Sequence, residues 1–361
     1  MLICGTPWRT IWVTRTGDVE ILDQTRLPHA IEIVKLADED DAFRAIAEMR
    51  VRGAPLIGVT AAYGLALALR RDATNVGVTA AVRRLAAARP TAVNLAWALA
   101  RVAEAIGDVP VSERADAAFR LAGAMAEDDV TSCRRIGEHG AALIEAAYAR
   151  TGRTVNILTH CNAGWLATVD WGTALAPIYV AQERGVPMHI WVDETRPRLQ
   201  GAALTAFELG EQGVDHTVIV DNAGGHLMQH GRVDLCIVGA DRITRAGDAA
   251  NKIGTYLKAL AAIDNGVPFY VAAPGSTIDW SIADGVRDIP IEERGAEEVT
   301  HVTGATADRV METVLIAAPN SQAANFGFDV TPARLITGIV TERGLSDASE
   351  ADLAALFSTA H

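Results

Sequence analysis

Apolar residues recur at helical spacing from Asp38 to about Arg150, as in Phe43, Ile46 and Ala47 and again in Val82, Leu85 and Ala86, within a background of Ala, Leu, Arg and Glu. This stretch predicts a run of helices. Ahead of it, IWVTRTGDVEILDQTRLP alternates apolar and polar positions around a Thr-Gly-Asp turn and predicts a short β-hairpin. Beyond Gly152 the period changes. Short apolar runs (VNILTH, MHIWVDE, HTVIVD, DLCIVGAD, PFYVAA, LITGIVT) alternate with amphipathic stretches starting near Asn162, Pro197, Asn251 and Thr306. Uninterrupted apolar strands separated by helices suit a parallel sheet covered on both faces. The expectation is an α/β protein: residues 1–150 form a mainly helical domain with a short β-hairpin region, and residues 151–361 form a Rossmann-like parallel-sheet domain. The acidic, Pro/Gly-punctuated stretch 281–300 reads as a surface excursion.

With 361 residues, half of them hydrophobic, the chain can bury two cores. Its 45 Asp and Glu against 32 Lys and Arg give a net charge of −13, a field that repels polyanions, so neither nucleic acid nor an anionic membrane is expected as a partner. A small phosphorylated ligand needs only a local cluster of donors. Cys4, Cys133, Cys161 and Cys236 form no CxxC pair, and MLICGTPWRTIWV lacks the pattern of a signal peptide, so a reducing cytoplasm is the expected setting. Nine histidines supply no HExxH or other metal spacing, and the nucleotide-binding fingerprints GxGxxG and GxxxxGK[ST] are missing, so no metal or cofactor is expected.

In parallel α/β sheets ligands gather beyond the carboxyl ends of the strands. Four predicted strand ends carry polar clusters: Thr159-His160-Cys161-Asn162, Asp193-Glu194-Thr195-Arg196, Asp221-Asn222 and Gly239-Ala240-Asp241-Arg242. Cys161 would lie at the start of a helix, which lowers a thiol pKa, although a lone cysteine is commonly only a small buried hydrophobe. Asp241 ends a strongly apolar strand, where its pKa should rise and suit it to deliver a proton; a capping role is the plainer alternative. Arg52-Gly53-Ala54-Pro55 precedes an apolar helix and offers an arginine plus free amides to an anion. Arg89-Pro90-Thr91 separates two helices. Asn251-Lys252 should open a helix on the same rim as Asp241.

Taken together, RGAPLIG (52–58), ARPTAVNLAWAL (88–99), THCNAG (159–164), DETRPRLQGA (193–202), and GADRI (239–243) followed by NKIGTY (251–256) resemble the methylthioribose-1-phosphate isomerase family in order and spacing. The resemblance implies an aldose–ketose isomerase working on a pentose 1-phosphate, as a homodimer. It implies substrate contacts from Arg52, Gly53, Ala54, Arg89, Gln200, Asn251 and Lys252, with Asp241 as proton donor and Cys161 acting on the transition state. That family is similar in fold to regulatory subunits of the translation-initiation exchange factor, which are not enzymes; Cys161 and Asp241, kept together in their motifs, favour the enzyme. Trp165 after Gly164, and Ala246-Gly247-Asp248 after GADRI, depart from the family pattern and bear on sugar specificity. The chemistry leaves two routes open, a phosphoenolate after loss of the C2 proton or a hydride shift from C2 to C1.

Overall fold

The computed structural model describes residues 1–90 and 92–358, so Thr91 of the predicted interhelical turn lies outside the described residues. The hairpin forms as expected: Ile11–Val13 pairs antiparallel with Val19–Leu22, and Ile33–Leu36 adds a third strand. Five helices follow, α1 (Glu39–Ala47), α2 (Ala54–Leu69), α3 (Asn75–Ala86), α4 (Val93–Ala105) and α5 (Arg114–Thr151). Asp38 starts α1 by accepting from the Asp41 amide at 2.9 Å, the usual service of an aspartate to the unpaired donors of a first turn. α2 is apolar all round and therefore central, packed against α1, α3, α4 and α5. Leu56 and Leu65 are fully buried there, each contributing about 1.5–3 kcal/mol by leaving water. α5 runs on to pack against the sheet half and stops at Gly152, which adopts a left-handed φ of 65°.

The six predicted apolar runs all become strands of one sheet. In spatial order these are His216–Ile219, Met188–Asp193, Val155–Thr159, Leu235–Val238, Phe269–Ala272 and Gly338–Thr341, all parallel, closed by an antiparallel Gly344–Ser346. Numbered along the chain, the six parallel strands lie in the order 3-2-1-4-5-6 of a doubly wound fold, whose direction reverses between the first strand and the fourth. Alternate residues feed two cores: Ile157 and Ile237 meet Leu175 and Ile178 on one face, Leu158 and Val238 meet Leu227 and Ala259 on the other.

Three expected helix starts are corrected. Asn251 and Lys252 end a strand, Ala249–Lys252, of a second sheet with Ile278–Asp279, Arg242–Thr244 and Phe328–Thr331; the helix begins at Thr255. The Arg242–Thr244 strand turns back through Gly247 at φ 94°, so this stretch pairs before it coils. Near Thr306 the chain forms a hairpin, His301–Ala305 with Met311–Leu315, because its β-branched Val and Thr residues pair across a tight turn. After Asn162 there is only a three-residue 3-10 turn, Trp165–Ala167, before the helix Ala176–Glu183. The stretch 281–300 is only partly a surface excursion, since Ile289 is buried and Glu292 faces Arg89. Among the described residues no helix is long and apolar enough to cross a membrane.

Candidate active site

The reversal point of the sheet lies between strands Val155–Thr159 and Leu235–Val238, and the chain leaves these strands through His160-Cys161 and Gly239-Ala240-Asp241. The start of α2 closes on this point from the helical half. Gly53 makes the approach possible: its φ is 94°, and a Cβ there would lie 2.2 Å from the Ala167 carbonyl oxygen. No side chain caps α2, and Gly53, Ala54 and Pro55 line the resulting cleft. All nine residues singled out from the sequence line it: Arg52, Gly53, Ala54, Arg89, Cys161, Gln200, Asp241, Asn251 and Lys252. The space among these residues is about 570 Å³, counted with its open mouth.

Cys161 sits in the left-handed region at φ 66°; its amide donates to Thr195 Oγ1 at 2.8 Å and its thiol to Gln200 Oε1 at 3.4 Å. The expected lowering of its pKa by a helix start is not found. Burial pushes the thiol up, against the opposing pull of Arg52 and Lys252, because no helix of useful length begins behind it. Asp241 behaves as expected: burial raises its carboxyl, and Arg89, Lys252 and Arg52 pull it back in part. Lys252 is itself lowered by burial, with Cys161 and Asp241 acting the other way, and its Nζ stands 5.1 Å from the centre of the Phe328 ring. Three cations, Arg52, Arg89 and Lys252, thus share one cleft with a thiol and a carboxyl.

Arg89 donates to Glu292 at 2.9 Å, which ties the α3–α4 connection to the 281–300 segment. The helix-start amides expected near Lys252 are already taken, since Asp329 accepts from Gly254 N at 2.7 Å and Tyr256 N at 3.1 Å. Asn251 turns its amide to Thr255 Oγ1 at 3.0 Å. The cleft adjoins a mainly apolar pouch of Ala54, Ile57, Ala92, Ala250, Ile289 and Phe328, which Arg89, Asp241 and Arg242 also line.

Sequence reasoning missed the buried groups behind the cleft. Asp193 Oδ2 meets His160 Nδ1 at 2.8 Å and Lys258 Nζ at 3.1 Å, while His160 Nε2 meets the Ile253 carbonyl at 2.8 Å. His160, Asp193 and Asp221 form the one cluster of metal-ligating type among the described residues, and the Lys258 ammonium already faces it. Glu208, fully buried, holds the loop after Cys161. His160 and Asp193 were visible as strand-end polar residues; a Glu in the middle of a predicted helix gave no signal of its own.

The description "Initiation factor 2 subunit family" matches residues 50–348. A methylthioribose-1-phosphate isomerase of Methylorubrum populi is 64% identical over 99% of this chain and 98% of its own length. A crystal structure of 5-methylthioribose 1-phosphate isomerase from Pyrococcus horikoshii superposes with a TM-score of 0.83 at 39% identity, covering 98% of this chain and 97% of that one. A structure described as translation initiation factor eIF-2B, subunit delta, from A. fulgidus has a TM-score of 0.79 at 38% identity, covering 98% and 100%. The chain therefore belongs to the methylthioribose-1-phosphate isomerases, the aldose–ketose isomerases within the initiation factor 2 subunit family.

Proposed function

We propose that the chain converts 5-methylthio-α-D-ribose 1-phosphate into 5-methylthio-D-ribulose 1-phosphate, a step of methionine salvage, with 5-deoxyribose 1-phosphate as a second substrate. The observation that carries this reading is the convergence of all nine motif residues, from both halves of the chain, on one cleft. Arg52 and Lys252, with Gly53 and Ala54 at the uncapped start of α2, hold the phosphate. Arg89, Gln200 and Asn251 orient the sugar, and the pouch of Ile57, Ile289 and Phe328 takes the apolar C5 substituent. The apolar part of that pouch discriminates weakly between methylthio and methyl groups.

The phosphate on the anomeric oxygen prevents spontaneous ring opening, so an acid must drive it. Asp241, whose carboxyl is pushed towards the protonated form by burial, gives its proton to the ring oxygen as the bond from C1 breaks. A thiol that burial holds protonated is a poor base towards a carbon-bound proton, which supports the hydride route: hydrogen moves with its electron pair from C2 to C1, and the C2 hydroxyl releases its proton to the Asp241 carboxylate. Cys161 then stabilises the charge that develops at C1 and C2, and Asp241 leaves the cycle protonated as it began. The family resemblance supports a homodimer, while the cysteine usage supports a cytoplasmic setting and the net charge of −13 argues against nucleic acid or an anionic membrane as a partner. Phosphorus NMR tests the reading, since an anomeric phosphate and a primary ketose phosphate give distinct signals. Conversion by the wild type, lost in Cys161→Ala and Asp241→Asn, supports it; a wild type silent on both sugars would leave the chain with the non-catalytic relatives.

A further inference from the structure

The loop that carries Cys161 hangs on a carboxylate that no step above uses. Glu208 is fully buried and accepts four hydrogen bonds: Asn162 Nδ2 and Leu166 N on one oxygen, both at 2.9 Å, and Trp165 N and Tyr179 OH on the other, both at 2.8 Å. Three of these donors cannot accept, so they oppose a proton on the carboxyl and call for the charged form. Burial pushes the other way and raises the Glu208 pKa. A charge enclosed like this needs a compensating cation, and the nearest in the network is Arg52, one residue away. Asn162 stands between them. Its Nδ2 points to Glu208 and Thr205, so its Oδ1 is left facing Arg52, which donates to both that oxygen and the Asn162 carbonyl.

The local backbone is built around this chain of contacts. Residues Gly201–Thr205 form a π-helical turn before the α-helix Ala206–Glu211, and the wide turn puts Gln200, Thr205 and Glu208 on one face towards Cys161 and Asn162. Thr205 Oγ1 donates to the Cys161 carbonyl at 2.7 Å and accepts from Asn162, so it fixes the same amide. Gly164 leaves room for the carboxylate: a Cβ there would lie 1.8 Å from Glu208 Oε2.

We propose that Glu208 is a positioning residue, which through the oriented amide of Asn162 holds the Arg52 guanidinium ready for the substrate phosphate. The inference rests on the reading that Arg52 binds phosphate. Replacing Glu208 by Gln puts an NH2 group where an acceptor is needed. Either that group meets the Trp165 amide, or it turns Asn162 so that Nδ2 confronts Arg52.

The test is a double-mutant cycle on the full chain with Glu208→Gln, Arg52→Lys and both together, read as KM and kcat for 5-methylthioribose 1-phosphate and as the Kd of inorganic phosphate by calorimetry. Glu208→Gln should raise KM and the phosphate Kd about tenfold, the size of one weakened charge-assisted contact, with a smaller change in kcat. The double variant should be no worse than Arg52→Lys alone. Additive losses, or a folded Glu208→Gln with wild-type phosphate affinity, overturn the proposal. Should Glu208→Gln not fold, Asn162→Ala decides, because it cuts the link while leaving Glu208 three donors: a raised phosphate Kd supports the relay, an unchanged one ends it. A wild type that binds phosphate but turns over neither sugar would refute the isomerase reading and leave this result standing.

Discussion

Lys252→Met removes one charge from the cleft and leaves a side chain of similar length against Phe328. Lys252 is buried, so its ammonium has little water to fall back on, and the phosphate contact proposed for it would count in full. A charge-assisted hydrogen bond contributes about 1.5–3 kcal/mol, and at roughly 1.4 kcal/mol per decade the variant should raise KM by about 10- to 150-fold. A second effect follows from the same charge. Lys252 is one of the cations that hold Asp241 and Cys161 down against the upward push of burial, so its loss lets both pKa values climb further. The proton donor must carry its proton, and activity falls as pH rises through the Asp241 pKa; in the variant that alkaline limb moves to higher pH. Steady-state kinetics from pH 5 to 9, with a melting curve to confirm folding, measures both. A KM within twofold of wild type and an unmoved limb would remove Lys252 from the phosphate site and the reasoning with it.

Conversion in deuterium oxide should give a ketose with no deuterium at C1, since a hydride never exchanges with solvent; deuterium at C1 by proton NMR would restore the enediol route. Asp129 tests burial away from the cleft: burial raises its pKa to about 7, against the pull of the Val169 amide, so its contribution to stability is present below the unfolded carboxylate pKa and lost as pH rises through 7. Asp129→Asn, which keeps an acceptor for Val169 N, should therefore raise the melting temperature at pH 8 and give no gain near pH 4. Gly53→Ala must fit a Cβ within 2.2 Å of the Ala167 carbonyl at a φ of 94°, so α2 should back away, with kcat/KM falling at least tenfold and a lower melting temperature; wild-type values for both would show that the close approach is dispensable.

The sheet was legible because its strands are apolar on both faces: VNIL, MHIWV and DLCIV have no other stable place than between helices. The site was legible where a motif sits at a strand end or a helix start, as Cys161, Asp241 and Arg52 do. What escaped depends on pairing between distant segments. Ala249–Lys252 becomes a strand because Phe328–Thr331, far along the chain, supplies its partner, and no local period announces that. The 301–315 hairpin likewise follows β-branched pairs across a turn that helical spacing disguises. Cys161 failed in a different way, since the thiol shift was argued from a helix start that the Glu208-bound loop replaces.

These failures share a cause with the site's function. A doubly wound sheet must leave a crevice where its winding reverses, and there two successive turns diverge instead of packing on each other. The first ends in Cys161, the second in Asp241. A crevice alone would be wet and would shift neither pKa. The uncapped start of α2, the second sheet with Lys252 and Phe328, and the segment carrying Ile289 and Glu292 close it, and each comes from a different part of the chain. The burial that raises the Asp241 carboxyl is thus a property of the assembled cleft. The A. fulgidus structure described as an initiation-factor subunit shares this fold at 38% identity, so the fold alone does not fix the activity.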